Sequence, residues 1–232
     1  MATPRDVTID RLNGNWTLSK SLSSELDLIF KLQGINWLLR KAISLTDINL
    51  KICTSHTLNS ETGESVAKIE FLQSPSIGSL ASTTEVRVLN WEAQTHFDYF
   101  FGEVVCRSCF VRASPTTQDD GCLRPDFELQ VGQLNIDAKL FLSGETSASG
   151  VKSHASSDGF LVEQPGIDQA CNQGLWVHTH ERNLGSGWEV EQIWGFEMIN
   201  EKRYFTRRLV VTGAKGRYLC GKLVYDFNRY SS

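Results

Sequence analysis

One stretch limits the folds open to this chain. Between Ser23 and Ile43 the sequence SSELDLIFKLQGINWLLRKAI carries the one convincing helical pattern, and the longer part of the chain after it reads as strands and loops. Ser23 and Ser24 can cap a first helix whose opening turn holds Glu25 and Asp27, where the helix dipole favours anions. Leu26, Ile29, Phe30 and Leu32 recur at helical spacing, and Gly34 ends the run. Trp37 to Ile43 starts a second helix, with Arg40 and Lys41 near its end. Two short helices joined at one glycine cannot span a bilayer, which takes roughly 20 unbroken apolar residues. Their apolar face must cover something else. One early helical hairpin (about 23–43) before many strands predicts a mainly β protein: a single antiparallel β-barrel with an N-terminal helix-turn-helix lid, one domain over 1–232.

Alternating apolar and polar residues predict strands at Trp16–Ser21, Thr46–Thr54, Ser65–Gln73, Thr83–Trp91 and Asp98–Ala113. Phe127–Leu142 reads as two strands turning near Gly132, and about 143–174, rich in Ser, Gly and Ala, as a long mobile insertion. The C-terminal part predicts a four-strand meander: Leu175–Arg182, Trp188–Ile199, Arg203–Thr212 and Gly216–Phe227.

A net charge of −4 gives no reason to expect nucleic acid or an anionic membrane surface as a partner. Met1–Leu12 carries Arg5, Asp6, Asp10 and Arg11 and lacks the apolar core of a secretory signal, so a cytoplasmic setting with reduced cysteines is expected.

Side chains alternate across a strand, and hairpin partners share a face. A symmetric Asn183–Gly187 turn would set His178 opposite Gln192 and Trp176 opposite Trp194. Glu189, Glu191 and Glu197 should be wet, so Trp188, Val190, Gln192, Trp194 and Phe196 should face inward. Carrying that register onward brings Tyr204, Thr206 and Arg208 inside, then Tyr218, Cys220 and Lys222. Trp176, Trp194 and Phe196 would then be apolar walls, with His178, Gln192, Arg208 and Lys222 as polar groups among them. Each polar group buried without a partner costs about 1–3 kcal/mol. A structural core seldom accepts several, whereas a ligand cavity does.

His178-x-His180 could begin a metal site, but no third ligand is placed by the sequence, so no metal is expected. Cys106-x-x-Cys109 resembles a redox or zinc pair, yet on a strand the two face opposite sides. Tyr99 and Glu103 could form an acid/base pair. Arg40, on the lid, either reaches the portal or is a solvated helix-end cation. No phosphate loop, dinucleotide fingerprint, HExxH or nucleophile elbow occurs, and no cofactor is expected.

Gly14-Asn15-Trp16-Thr17-Leu18 resembles the G-x-W start of calycin barrels. Leu32-Gln33-Gly34-Ile35-Asn36-Trp37-Leu38-Leu39-Arg40-Lys41 is similar to the lid of intracellular fatty-acid-binding proteins, and the likeness resumes from Gly174 to Phe227. A second resemblance is to calycin-like proteins of fungal biosynthetic gene clusters, some of which are cofactor-free cyclases or isomerases. The calycin resemblance implies that a late arginine packs on the G-x-W tryptophan, an alternative place for Arg208. Fatty-acid binders hold a carboxylate with R-x-Y on the last strand and an arginine two strands earlier. Here Lys222 and Val224 take the R-x-Y places, Tyr225 falls out of phase and Trp194 stands near the earlier arginine, so the clamp is mostly absent.

These features point to a cofactor-independent isomerase or cyclase for an apolar polycyclic small molecule held inside the barrel. His178, Gln192 and Arg208 would steer protons or stabilise oxyanion charge, with Trp176, Trp194, Phe196, Tyr99, Arg40 and Lys222 around the substrate. The alternative is a non-catalytic intracellular carrier of a lipid or hydrophobic metabolite. The expected partner is a hydrophobic small molecule, without nucleic acid or membrane insertion; a homodimer is compatible.

Overall fold

Two short helices sit between the first two strands of the sheet, where the sequence places them. The computed structural model describes residues 1–58, 63, 65–75, 82–113, 123–132, 134–147, 159–162 and 175–230. β1 (Gly14–Leu18) leads into α1 (Leu26–Leu32) and α2 (Trp37–Leu45). Gly34 turns between them at φ +87°, a backbone state that side chains other than glycine resist. Asn36 caps α2 by accepting from the Leu39 amide at 3.0 Å.

Among the described residues nine strands come after the lid: β2 (Ile48–Leu58), β3 (Ser65–Pro75), β4 (Thr83–Val88), β5 (Gln94–Asp98), β6 (Gly102–Arg112), β7 (Leu175–Asn183), β8 (Glu189–Ile199), β9 (Lys202–Thr212) and β10 (Tyr218–Arg229). Together with β1 they form one antiparallel sheet in the order β4-β3-β2-β1-β10-β9-β8-β7-β6-β5. Its two edges approach each other through the Asn90–Cys109 bridge and the Trp91 amide, which donates to the Ser108 carbonyl at 2.8 Å. The result is a nearly closed antiparallel barrel with a helical hairpin after its first strand, the architecture expected from the sequence. Among the described residues no helix is long and apolar enough to cross a membrane.

The end away from the lid is packed solid. Trp16 lies edge-on to Phe227 at 4.9 Å and donates its Nε1–H to the Leu12 carbonyl at 3.1 Å. A Cβ at Gly14 would stand 2.6 Å from the Phe227 ring, which is why the tryptophan is preceded by a glycine at this spacing. Val7, Ile9 and Leu12 close this end, and Arg203 ties them down by donating to the carbonyls of Pro4 at 2.6 Å and Val7 at 2.7 Å.

Two turns correct the expected facing. In the β7–β8 hairpin Arg182 pairs with Glu189 and His178 with Ile193, because the turn is not symmetric about Asn183–Gly187: Asn183 belongs to the strand. The Asn183 side chain builds the loop, accepting from the Ser186 amide at 2.6 Å. Between β8 and β9, Ile199 pairs with Lys202 across a two-residue turn. Asn200 (φ +49°) and Glu201 (φ +62°) take the left-handed conformation of a type I′ hairpin. Each one-residue difference exchanges the faces of the next strand. Gln192, Trp194 and Phe196 point inward as expected. Trp176 and His178 on β7, Arg208 on β9 and Lys222 on β10 stand on the outer face, while Arg207 and Tyr225 point in.

The outer face of this meander is covered rather than wet. Phe127–Leu142 does not form two strands. Asn135 caps a helix, α3 (Ile136–Leu142), by accepting from the Ala138 amide at 3.2 Å. Ala138, Phe141 and Leu142 form its apolar stripe, packed on Trp176, Ile193 and Val210. Within the expected insertion, Phe160 bridges to Glu197 and the Leu161 amide donates to the Phe196 carbonyl at 2.7 Å. The rest of that insertion, 148–158 and 163–174, lies outside the described residues.

Candidate functional site

Packing at one end and a lid at the other leave a hollow between them. The cavity measures about 230 Å³. Its roof is mostly apolar: Leu26, Ile29 and Phe30 of α1, Ile35, Ile43 of α2, and Phe100 and Phe101 of the turn after β5, with Gln33, Thr46 and Asp98 among them. Its walls include Trp188, Val190, Leu209, Val211 and Leu223. Its floor is polar: Gln73, Glu85, Arg87, Glu181, Gln192, Arg207 and Tyr225.

The floor is organised by Arg87, a 3% exposed residue. Its guanidinium contacts the Glu85 carboxylate and lies 2.7 Å from Glu181 Oε1. Its Nη1 stands 2.8 Å from Cys106 Sγ. Burial opposes the charge, but Cys106, Glu85 and Glu181 more than offset it and hold the Arg87 pKa above the ordinary arginine value. Burial also pushes the Cys106 thiol up to about 11, which leaves it unreactive at neutral pH.

From Glu181 a chain of hydrogen bonds runs across the floor. Gln192 donates to Glu181 Oε1 at 2.8 Å and accepts from Trp194 Nε1 at 3.1 Å. The Trp194 ring is thereby fixed, and the Arg207 guanidinium lies over it at 4.1 Å. Phe71 at 4.7 Å and Tyr225 at 5.3 Å complete an aromatic box around Arg207. Cation–π contacts of this kind supply about 0.5–2 kcal/mol each and no hydrogen-bond acceptor. Arg207 Nε and Nη2 are buried without a partner among the described residues. Desolvation lowers the Arg207 pKa from its ordinary value.

The sequence-predicted residues are thus dispersed. Gln192 lines the cavity, and Trp194 supports Arg207 from the side away from it. Phe196 is inside but in the packed end, 3.6 Å under the Arg203 guanidinium. Tyr99 is 60% exposed on the turn after β5, against Phe100. Arg40 pairs with Asp27 at 2.9 Å, joining α2 to α1, and lines a separate hollow of about 310 Å³ behind the lid.

The remaining predicted residues lie on the covered outer face. His178 Nε2 lies 2.9 Å from Glu191 Oε1, and its ring stacks on Trp91 at 4.7 Å. Glu191, 0% exposed, also accepts from the Gln130 amide at 3.0 Å. Arg208 contacts Glu197 at 2.9 Å and donates to the carbonyls of Phe141 at 3.0 Å and Thr146 at 2.7 Å. It therefore does not pack on Trp16. Lys222 joins the same carboxylate at 3.2 Å. Trp176 is covered by α3 and Phe160. On β10 it is Leu223 and Tyr225 that point inward, not Lys222 and Val224.

Sequence reasoning missed Glu85, Arg87 and Glu181, and it placed Arg208 inside with Arg207 as its outward neighbour, where the structure has the reverse. In TTEVRV the valines are the natural inward residues, yet Val86 is 38% exposed and the charges point in. The adjacent Arg207-Arg208 pair was the available signal, since on a strand one of the two must face the interior.

No family model matches the chain. Over 227 residues it is 27% identical to the probable pericyclase scpY of Mollisia scopiformis, covering 97% of this chain and 94% of that protein. Among solved structures it is similar to lipid binding protein 8 of Caenorhabditis elegans, at 10% identity and a TM-score of 0.44, covering 94% of this chain and 95% of that one. It is also similar to a fatty acid binding protein of Schistosoma mansoni, at 9% identity and a TM-score of 0.42, covering 95% of this chain and 98% of that one. The fold itself is defined by the strand order and by the helical hairpin between β1 and β2.

Proposed function

We propose that this protein is a cofactor-independent isomerase or cyclase that folds an apolar, polycyclic-forming small molecule inside its barrel. The observation that carries the reading is the cavity: an apolar roof over a charged floor, with one buried guanidinium, Arg207, lacking an acceptor at Nε and Nη2 among the described residues. The 27% identity to a protein named a pericyclase adds weight. Ring closure within one molecule conserves its atoms and needs no co-reactant.

In this reading the roof and walls select one compact conformer, which removes much of the entropic part of the barrier. Arg207 stabilises negative charge that grows on a substrate oxygen as bonds reorganise. Its rigidity comes from the aromatic box and from the Gln192–Trp194 hydrogen bond, so the charge is aimed before the substrate arrives. Glu85 and Glu181 are engaged with Arg87 and shape the floor.

The test is turnover. Purified protein incubated with linear polyene precursors, no cofactor added, should give products of unchanged mass and altered retention. Arg207→Met should abolish this while circular dichroism stays native. Stoichiometric binding without product, across a broad precursor set, would replace the enzyme by a second reading: a carrier of a hydrophobic metabolite. The observation favouring that reading is that both floor carboxylates lie in ion-pair contact with Arg87 rather than free in the cavity.

A further inference from the structure

We infer that the molecule held in this cavity carries an oxyanionic head group, a carboxylate or an ionised enol, bound against Arg207, and has a compact rather than an extended apolar body. This rests on the cavity being the ligand site, and it deepens that reading by naming the substrate class.

The head group is set by the contrast between two arginines on one floor. Arg87 has two carboxylates within contact. Arg207 has none in ion-pair reach among the described residues, and its neighbours are ring faces. It is nine-tenths buried yet lines the cavity. A buried cation left with ring faces keeps most of its desolvation penalty, because rings give no lone pair to its N–H groups. Chemistry that removes the penalty is a delocalised oxyanion, which offers both charge and acceptors to a guanidinium. A cationic head at this point would be repelled by Arg207, while the Glu85 and Glu181 carboxylates of the floor are already in contact with Arg87.

The compact body is set by volume. The packed end of the barrel is filled by Trp16, Phe196, Phe205 and Phe227, so the hollow occupies only the lid side. At about 230 Å³ it lies below the roughly 300–1,000 Å³ usual for ligand pockets. A long straight chain reaching Arg207 would have to leave through the lid and hold it open. A folded or ringed body of similar mass would not.

The experiment is a fluorescence titration of the 232-residue chain, reading its tryptophan emission, to which Trp188 in the cavity wall contributes. Four probes are used: abietic acid (a tricyclic carboxylic acid), its methyl ester, the corresponding amine, and stearic acid. The acid should bind at least tenfold more tightly than the ester, with the amine weakest and stearic acid weaker than abietic acid. Arg207→Met should erase the acid–ester difference while ester binding survives, and Arg207→Lys should restore part of it. Should Arg207→Met fail to fold, Arg207→Gln serves the same comparison. Equal binding of acid and ester by the native protein, or discrimination that persists without Arg207, overturns the head-group inference. Stearic acid binding as well as abietic acid overturns the compact body. Ester binding with no acid preference leaves the cavity reading standing, whereas failure of every probe to bind removes both.

Discussion

The Arg207 guanidinium lies 4.1 Å from the Trp194 ring centroid, and the Trp194 Nε1–H is held at 3.1 Å by Gln192. The orientation of the cation in the candidate site therefore depends on a neutral amide two residues from the ring it stacks on.

Gln192→Leu should disconnect Trp194 from Glu181 and loosen Arg207 without touching its charge. Each lost buried hydrogen bond costs about 0.5–1.5 kcal/mol, so the fold should survive. Turnover or acid-probe affinity should fall several-fold with the native Tm lowered by only a few degrees. An unchanged affinity with the same Tm loss would make Gln192 purely structural.

Arg87→Met removes the buried cation from between Glu85 and Glu181, which are themselves only partly buried. Breaking a buried ion pair by removing one partner costs about 3–5 kcal/mol. Urea unfolding should show a loss of that order, and adding Glu85→Gln and Glu181→Gln should recover much of it. If the triple variant is no more stable than Arg87→Met alone, the cluster is held by packing rather than charge.

Glu197 sets a pH dependence on the outer face. Burial alone would raise its pKa, but Arg208 first and then Lys222, with hydrogen bonds from Arg208 and Thr206, hold it down to about 2. A glutamate in the unfolded chain titrates near about 4.3. A depressed folded-state pKa gives stability that is complete above the unfolded value and fades as pH falls from about 4.3 toward about 2. A shift of this size corresponds to about 3 kcal/mol. Glu197→Gln should be clearly less stable at pH 7, with the gap to the native protein closing below pH 4. A gap that is constant with pH would show that Glu197 acts through packing alone.

The strap at 159–162 rests on a glycine. A Cβ at Gly195 would stand 2.7 Å from Trp176 Cδ1 and 2.8 Å from Phe160 Cδ1. Gly195→Ala should overpack this contact at a cost of about 1–3 kcal/mol. Limited proteolysis should then cut near Phe160 faster than in the native protein. Cleavage rates that stay equal would mean that the Trp176 side of the contact yields instead.

His178 and Glu191 pin the 126–131 segment from inside the outer layer. Glu191→Ala removes the acceptor for the Gln130 and Val131 amides as well as the His178 partner. Amide hydrogen exchange at Gln130 and Val131 should accelerate markedly while the cavity strands stay protected. Acceleration spread over the whole meander would show that the covering layer and the barrel unfold together.

Much of the architecture was legible because it is written in local patterns. Gly34 between two apolar runs made the lid, Gly14-x-Trp16 marked the first strand, and turn residues every ten or so positions made the meander. The inner face of β8 was also readable, since Glu189, Glu191 and Glu197 could not share the inside with Trp188 and Trp194. The parity of two turns was not. Whether Asn183 ends a strand or begins a loop changes no local pattern, yet it moves His178 and Trp176 through the sheet. The Asn200–Glu201 turn does the same to Arg207 and Arg208.

The sequence by itself determined the lid, the strand succession and the presence of more polar groups than a solid core would bury, because periodicity and turn chemistry act over a few residues. Only the tertiary structure decided which arginine looks into the hollow, that Glu85 and Glu181 converge on Arg87, and that α3 and the 126–131 segment before it cover two buried carboxylates outside. Those outcomes depend on pairing between strands far apart in the chain, where a shift of one residue costs nothing locally and reverses every side chain beyond it.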